Sequence, residues 1–432
     1  MISKQELWLE EMMKRYAIIG FGCAGYYAAK TLRKLQPECW IDVYSDTDKA
    51  PSNPMLTTYY TAGRIPWGNL FPFGERQEVM KELKVNSFIH SAVQKVCASE
   101  RSVTADGQKQ RYDDIVLASG AAALIPPIAG LPQKGVYVMR TPEDAQKLLD
   151  AAGSGIRSAL VIGASWVGIK VVEALRAHNI SSVLADMASY IFPTVCLPEA
   201  AVYIHDRVRR LGIQLKFGSG IVSMREDEDG IVSVFADADE VKTDIVVLCM
   251  GVRPSVAYLD PGEVGIGRGI RVDCHMRTNV EHIYAAGDCC ETREIMSGDY
   301  MPVNLWANAV VQGQIAGKNI AGYPEEFRGA FAHNITHFLD MDFIGLGNPR
   351  LSGETVEFGE TETGNYVRVI IKDGKLRCAN ILGNYRVSGF FKHWFVWQQE
   401  HPEGGIPLWL RAGLLREGIS EEFITLMGGS GI

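Results

Sequence analysis

The residues best placed to do chemistry in this sequence are small ones at fixed spacing: Gly20, Gly22 and Gly25 in GFGCAG, and Gly163, Ser165 and Gly168 in GASWVG. A G-x-G-x-x-G run between a strand and a helix holds the pyrophosphate of a dinucleotide. The first glycine makes the turn, the second lets phosphate reach the backbone, and the third lets helix and strand pack closely. N–H groups and the helix dipole then face the anion. An acid about twenty residues further on accepts ribose hydroxyls. After the first run that place falls on Ser45 and Asp46, and the contact stays open between them. After the second it is Asp186, which suits NAD and repels the 2′-phosphate of NADP. No Lys or Arg lies between Asp186 and Arg207 to hold that phosphate. Ser165 replaces the usual middle glycine; it is small enough to be tolerated, though it narrows access to the backbone. With Ala164, Trp166, Val167 and Gly251, these residues form the candidate NAD site.

The elements that must position them are legible around each run. Tyr16–Gln36 reads as an apolar strand, a glycine turn and a helix with Ala24, Ala28, Ala29, Leu32 and Leu35 at helical spacing, stopped by Pro37. WIDVYS is the next strand. SALVIGASWVGIKVVEALRAHNISSVLAD repeats this grammar about 140 residues later. Buried strands are expected in YDDIVLASG, DIVVLCMGVRP and VEHIYAAGD, and a helix over Leu305–Ile320. From about Phe327 strand-like alternation takes over, with a turn at Asp373-Gly374, and the aromatic tail from Phe390 reads as helical.

Composition narrows the class. At 432 residues the chain exceeds one core. A net charge of −8 opposes nucleic-acid binding, which needs a basic face. No apolar run approaches the roughly 20 residues of a membrane span. The segment MISKQELWLEEMMKRY reads as an amphipathic helix and lacks the apolar centre of a signal peptide. Nine cysteines without a C-x-x-C pair suggest neither a disulfide framework nor a zinc or iron–sulfur site, so no metal and a cytoplasmic location are expected. His333 and His337 share i, i+4 spacing but lack a metal-ligand partner motif, and read as ordinary histidines.

Taken together, the two fingerprints, the Ala118-Ser119-Gly120 strand end, the Gly251–Pro254 return and TNVEHIYAAGD ending at Asp288 resemble the pyridine nucleotide–disulfide oxidoreductase superfamily. The resemblance spans about residues 15–325. It implies an α/β fold with two Rossmann-like domains, FAD in the first and NAD(H) in a second inserted within it, plus a C-terminal α+β domain. The implied boundaries are 1–14 for an N-terminal helical extension, 15–128 and 253–325 for the FAD domain, 129–252 for the NAD domain, and 326–432 for an interface domain with a helical tail. By the same resemblance Gly20, Gly22, Cys23, Ala24, Gly25 and the Ser45/Asp46 edge contact the adenosine and pyrophosphate of FAD. Ala118, Ser119, Gly120, Gly287 and Asp288 line its middle, and Asn304, Leu305, Trp306 and Ala307 lie beside the flavin ring.

The departures from that family decide the chemistry. Its disulfide reductases carry a C-x4-C pair on the first helix; here only Cys23 is present. Coenzyme A disulfide reductases and NADH oxidases and peroxidases carry a single cysteine where this chain has Met55, which forms neither thiolate nor sulfenic acid. Cys289-Cys290 reads as structural. Relatives pair a first-domain lysine with a glutamate after the second fingerprint, near flavin N5; Thr58 and Lys170 occupy those places, which makes Lys170 the candidate cation at N5. Arg64 is a candidate for substrate or phosphate. The expected reaction is hydride transfer between nicotinamide and flavin, followed by electron transfer to an external acceptor. The favoured acceptor is an iron–sulfur subunit of a multisubunit oxidoreductase of aldehyde or 2-oxoacid type, since the chain resembles the FAD-containing NAD(H) subunits of such complexes. The alternatives are a self-contained NADH oxidase or reductase and an NADH-sensing flavoprotein scaffold. A homodimer through the C-terminal domain is a further expectation.

Overall fold

The computed structural model describes residues 13–361, 364–402 and 404–428. Residues 1–12 of the expected N-terminal helix lie outside the described residues. The chain divides into two compact units: residues 1–56, 66–122 and 252–330, and residues 57–65, 123–251 and 331–432.

The first unit is built on a five-stranded parallel sheet in the order Ile283–Ala285, Asp114–Leu117, Arg15–Ile19, Trp40–Tyr44, Asn86–Phe88. The central strand runs Arg-Tyr-Ala-Ile-Ile and is buried on both faces after its first residue, as a strand covered on both sides requires. The helix Cys23–Leu35 buries the alanine-rich stripe read from its sequence. A second helix, Trp306–Ile320, packs on it closely. A Cβ on Gly313 would sit 2.3 Å from the Ala24 carbonyl oxygen, and one on Gly317 would sit 2.9 Å from Thr31 Cβ. Only glycine permits that approach.

The second unit repeats the design with strands Gln214–Phe217, Ser181–Asp186, Ser158–Ile162, Ile245–Leu248 and Val136–Val138, all parallel. It also contains a five-stranded antiparallel sheet, His333–Phe338, Met341–Gly347, Lys375–Leu382, Tyr366–Lys372 and Glu354–Phe358. Helices Ser388–Glu400, Leu408–Arg416 and Glu421–Leu426 complete it, so the aromatic tail is helical. These two sheets share a core in which Ile169, Val172 and Phe192 meet Phe338, Phe343 and Leu382. Buried Asn380 ties them further, accepting from Leu197 N at 2.6 Å and donating to the Val195 carbonyl at 2.8 Å. The segment Thr57–Ile65 belongs to this unit as well; Thr61 donates to the Ala145 carbonyl at 3.1 Å. Among the described residues no helix is long and apolar enough to cross a membrane.

Candidate functional site

In the first unit the glycine turn is set by close packing. Gly20 has φ +94°, and a Cβ there would lie 2.3 Å from the Ala118 carbonyl oxygen; one on Gly25 would lie 2.2 Å from the Gly20 carbonyl oxygen. Gly22 differs: a Cβ there would meet nothing within 4 Å. Its outer side is therefore open while its neighbours are pressed into the sheet and helix. The helix it begins has no side-chain cap and no acid in its first turn, which leaves early N–H groups for an anion.

The strand ends converge on the same turn. Ala118 N bonds the Ile19 carbonyl at 2.8 Å, and Ser119 Oγ donates to the Ser255 carbonyl at 2.7 Å. Gly120, at φ +66°, accepts from Ser255 N through its carbonyl at 3.0 Å. Gly287, at φ +83°, lies against Ala24, and its N–H is taken by buried Gln312 at 2.8 Å. Asp288 is half-buried beside it. Asn304 and Ala307 are exposed, and Leu305 begins the helix Trp306–Ile320, which also has no side-chain cap or first-turn acid. Trp306 stacks on Phe73 with ring centres 5.9 Å apart. Ser45 is buried, its hydroxyl accepting from Thr47 N at 3.3 Å, whereas Asp46 is exposed.

The second turn, in the other unit, is tighter. A Cβ on Gly163 would lie 2.2 Å from the Cys249 carbonyl oxygen, and one on Gly168 would lie 1.9 Å from the Gly163 carbonyl oxygen. Ser165 acts as the helix cap, accepting from Gly168 N and donating to the Cys249 carbonyl, each at 3.3 Å. This gives the serine a positive role that sequence reading did not assign. The Asp186 carboxylate accepts from Ala164 N at 2.7 Å and from Ala188 N at 2.9 Å, and so fixes the turn to the strand end. Trp166 directs its ring into the core, stacked on Phe192 at 4.3 Å and Phe343 at 5.5 Å, while Val167 stays exposed. Gly251 has φ +101° with open space around it.

Lys170 lies in the second unit, one helical turn beyond the capped start. It is buried, pairs with Glu173, donates to the His337 carbonyl at 3.0 Å and sits 4.3 Å from the Tyr59 ring centre. Arg64 reaches the same Glu173 at 2.8 Å. Burial pushes the Glu173 carboxyl up, but the hydrogen bond and charge of Lys170, then those of Arg64, hold it below its usual range. Two cations thus face one carboxylate. Glu173 and Tyr59 were missed by sequence reading, although the i, i+3 spacing to Lys170 was available as a signal. His333 and His337 fall on one strand, and His337 pairs with Asp342 at 3.0 Å.

Among the described residues the cysteines form no disulfide pair. All nine cysteines are free. Burial, and then the nearby Asp288 charge, pushes the Cys23 thiol up to about 12. Burial pushes Cys289 up to about 11 and Cys290 well above the usual range. Met55 is exposed.

Two pressed glycines flanking an open backbone face, ahead of an uncapped helix, fit a dinucleotide pyrophosphate. Residues 14–313 match the family described as pyridine nucleotide-disulphide oxidoreductase, and the chain belongs to it. It is an FAD-dependent oxidoreductase that uses NAD(P)H, in a form without a redox-active cysteine pair. When bound, FAD would supply the ring that exchanges hydride with a nicotinamide. Its relatives include an NADH oxidase of Methanocaldococcus jannaschii, 27% identical over 340 residues, covering 77% of this chain and 76% of that one. They include also the epsilon subunit of NADH-dependent phenylglyoxylate dehydrogenase from Aromatoleum evansii, 28% identical over 388 residues, covering 87% and 89%. The water-forming NADH oxidase of Lactobacillus brevis bound to NADH shares the fold, with a TM-score of 0.84 at 21% identity over 90% of this chain and 91% of that one.

The Gly163–Gly168 contact makes a sharp prediction. Gly168→Val forces its side chain onto a backbone carbonyl, so NADH affinity should fall by at least about tenfold while FAD content stays at the wild-type level. Fluorescence titration of the FAD-loaded variant with NADH checks this.

Proposed function

We propose that the chain is the FAD-bearing NADH module of a multisubunit oxidoreductase and exchanges electrons with an iron–sulfur partner subunit. One observation carries the reading. Methionine stands where single-cysteine relatives hold their redox thiol, and Cys23 is buried with its thiol pushed up to about 12. Electrons reaching the flavin therefore have no sulfur relay to enter and must leave for an external acceptor. Iron–sulfur clusters suit that role because they take electrons one at a time from a reduced flavin. The likeness to a subunit of a larger dehydrogenase, over 388 residues against 340 for the NADH oxidase, supports the same reading.

In this proposal the Gly20–Gly25 turn, Ser45/Asp46, Ala118–Gly120, Gly287, Asp288 and Asn304–Ala307 hold FAD. The Gly163–Gly168 turn, Asp186 and Gly251 hold the nicotinamide dinucleotide. Asp186 keeps lone pairs for a ribose while opposing a 2′-phosphate, so NADH is preferred to NADPH. Lys170 supplies the positive charge for anionic reduced flavin: with Arg64 it exceeds the single Glu173 charge by one. The module is cytoplasmic, and the C-terminal sheet with its helical tail is the surface for a homodimer or partner subunit.

The test has an anaerobic and an aerobic arm. With NADH and a ferredoxin whose cluster potential lies above that of the NAD couple, the FAD-loaded chain should reduce the ferredoxin anaerobically faster than it reduces oxygen in the aerobic arm; oxygen turnover that outpaces ferredoxin would instead favour a self-contained oxidase. An NADH-dependent change of oligomeric state without either turnover would favour a sensing scaffold. In the same assay Lys170→Ala should slow flavin reduction by NADH at least about tenfold and shift the flavin potential downward; no change in either rejects the role given to Lys170.

A further inference from the structure

A second cluster in the first unit, remote in sequence from both glycine turns, has the chemistry of a metal site. The Cys274 Sγ, a His275 ring nitrogen and a Glu326 carboxylate oxygen lie within 4.8 Å of one another. His275 is oriented by its other nitrogen: Nδ1 faces the Glu325 carbonyl at 3.1 Å, so Nδ1 carries the proton and donates. Nε2 is turned to Glu326 Oε1 at 3.7 Å. With Nδ1 engaged by a carbonyl, the remaining ring nitrogen, the carboxylate and the Cys274 sulfur border one small space that a cation fits. A backbone carbonyl on the far nitrogen is also how metal-bound histidines are held in their tautomer.

The two segments that carry these groups are fastened together independently of them. Phe327 N donates to the Cys274 carbonyl at 2.6 Å. Buried Asn319, in the last turn of the helix Trp306–Ile320, donates to the carbonyls of His275 at 3.2 Å and Glu325 at 2.8 Å, and accepts from Glu325 N at 3.3 Å. The cluster therefore sits where that helix ends, and the negative end of a helix dipole favours a cation. Sequence spacing gave no warning of it, because the ligands come from neighbours at 274 and 275 and from a turn some fifty residues later.

We propose that Cys274, His275 and Glu326 bind a divalent cation of the zinc class. Thiolate, imidazole and carboxylate together select zinc over magnesium or calcium, and three protein ligands leave a fourth position for water. Bound there, the ion would brace the far end of the helix whose beginning we assign to the flavin.

The experiment uses the full FAD-loaded chain under reducing conditions, with Zn²⁺ measured against a chromophoric chelator and Co²⁺ as the spectroscopic probe. The expected result is about one ion per chain, a thiolate-to-cobalt charge-transfer band, and a melting temperature that rises with Zn²⁺. Cys274→Ser should abolish the band. Cys274→Ser and Glu326→Gln should each weaken binding by more than about tenfold while leaving the metal-free melting temperature unchanged. Equal binding by wild type and both variants, or none by the wild type, overturns the site; the first means adventitious surface ligation and the second a protonated His275 paired with Glu326 alone. Because Glu326 is well exposed, its variant remains a fair test if Cys274→Ser is poorly folded.

Discussion

Both nucleotide turns depend on one steric constraint: a carbonyl oxygen occupies the space where a side chain would begin. At Gly25 the intruding oxygen belongs to Gly20, and at Gly168 it belongs to Gly163. The helix start is thereby pulled down on the strand end; the first helix begins uncapped beside the open Gly22, whereas Ser165 caps the second. Any Cβ at these positions lifts the helix. The same constraint is met twice, each time at the end of a central parallel strand.

The charged cluster of the second unit shows how a familiar arrangement is rebuilt after its residues move. A lysine stands in the second fingerprint helix where the family resemblance implies a glutamate, and Glu173 restores a carboxylate one turn later. The surplus of cations follows from Arg64 joining the same acid. The His337 carbonyl and the Tyr59 ring complete the surroundings of Lys170. The ammonium is thus buried beside Glu173, the His337 carbonyl and the Tyr59 ring, rather than solvated on a helix surface.

Local grammar made much of this legible. The strand, turn and helix of each fingerprint fell where the glycines and apolar runs put them. The hairpin at Asp373-Gly374 followed from two residues that tolerate positive φ, and both adopt it, at +51° and +66°. What stayed hidden depends on distant partners. Gly313 and Gly317 look like ordinary helix residues until the helix Cys23–Leu35 is laid against them. Trp166 reads as a fingerprint residue but is drawn into an aromatic stack by Phe192 and Phe343, from parts of the chain no local pattern connects. Asp186 was read as a ribose acceptor; its backbone bonds, which hold the turn shut, depend on φ and ψ at the strand end. The i, i+4 histidines, read as ordinary, lie on one strand, where that spacing sets them apart instead of stacking them as on a helix.

The central claim is that the flavin is the sole redox group this polypeptide brings to the reaction. Anaerobic titration of the FAD-loaded chain with NADH counts electrons directly. One equivalent of NADH per flavin should complete the reduction, with no long-wavelength band from a thiolate against oxidised flavin. Uptake of two equivalents, or the appearance of that band, would reveal a working sulfur centre and contradict it.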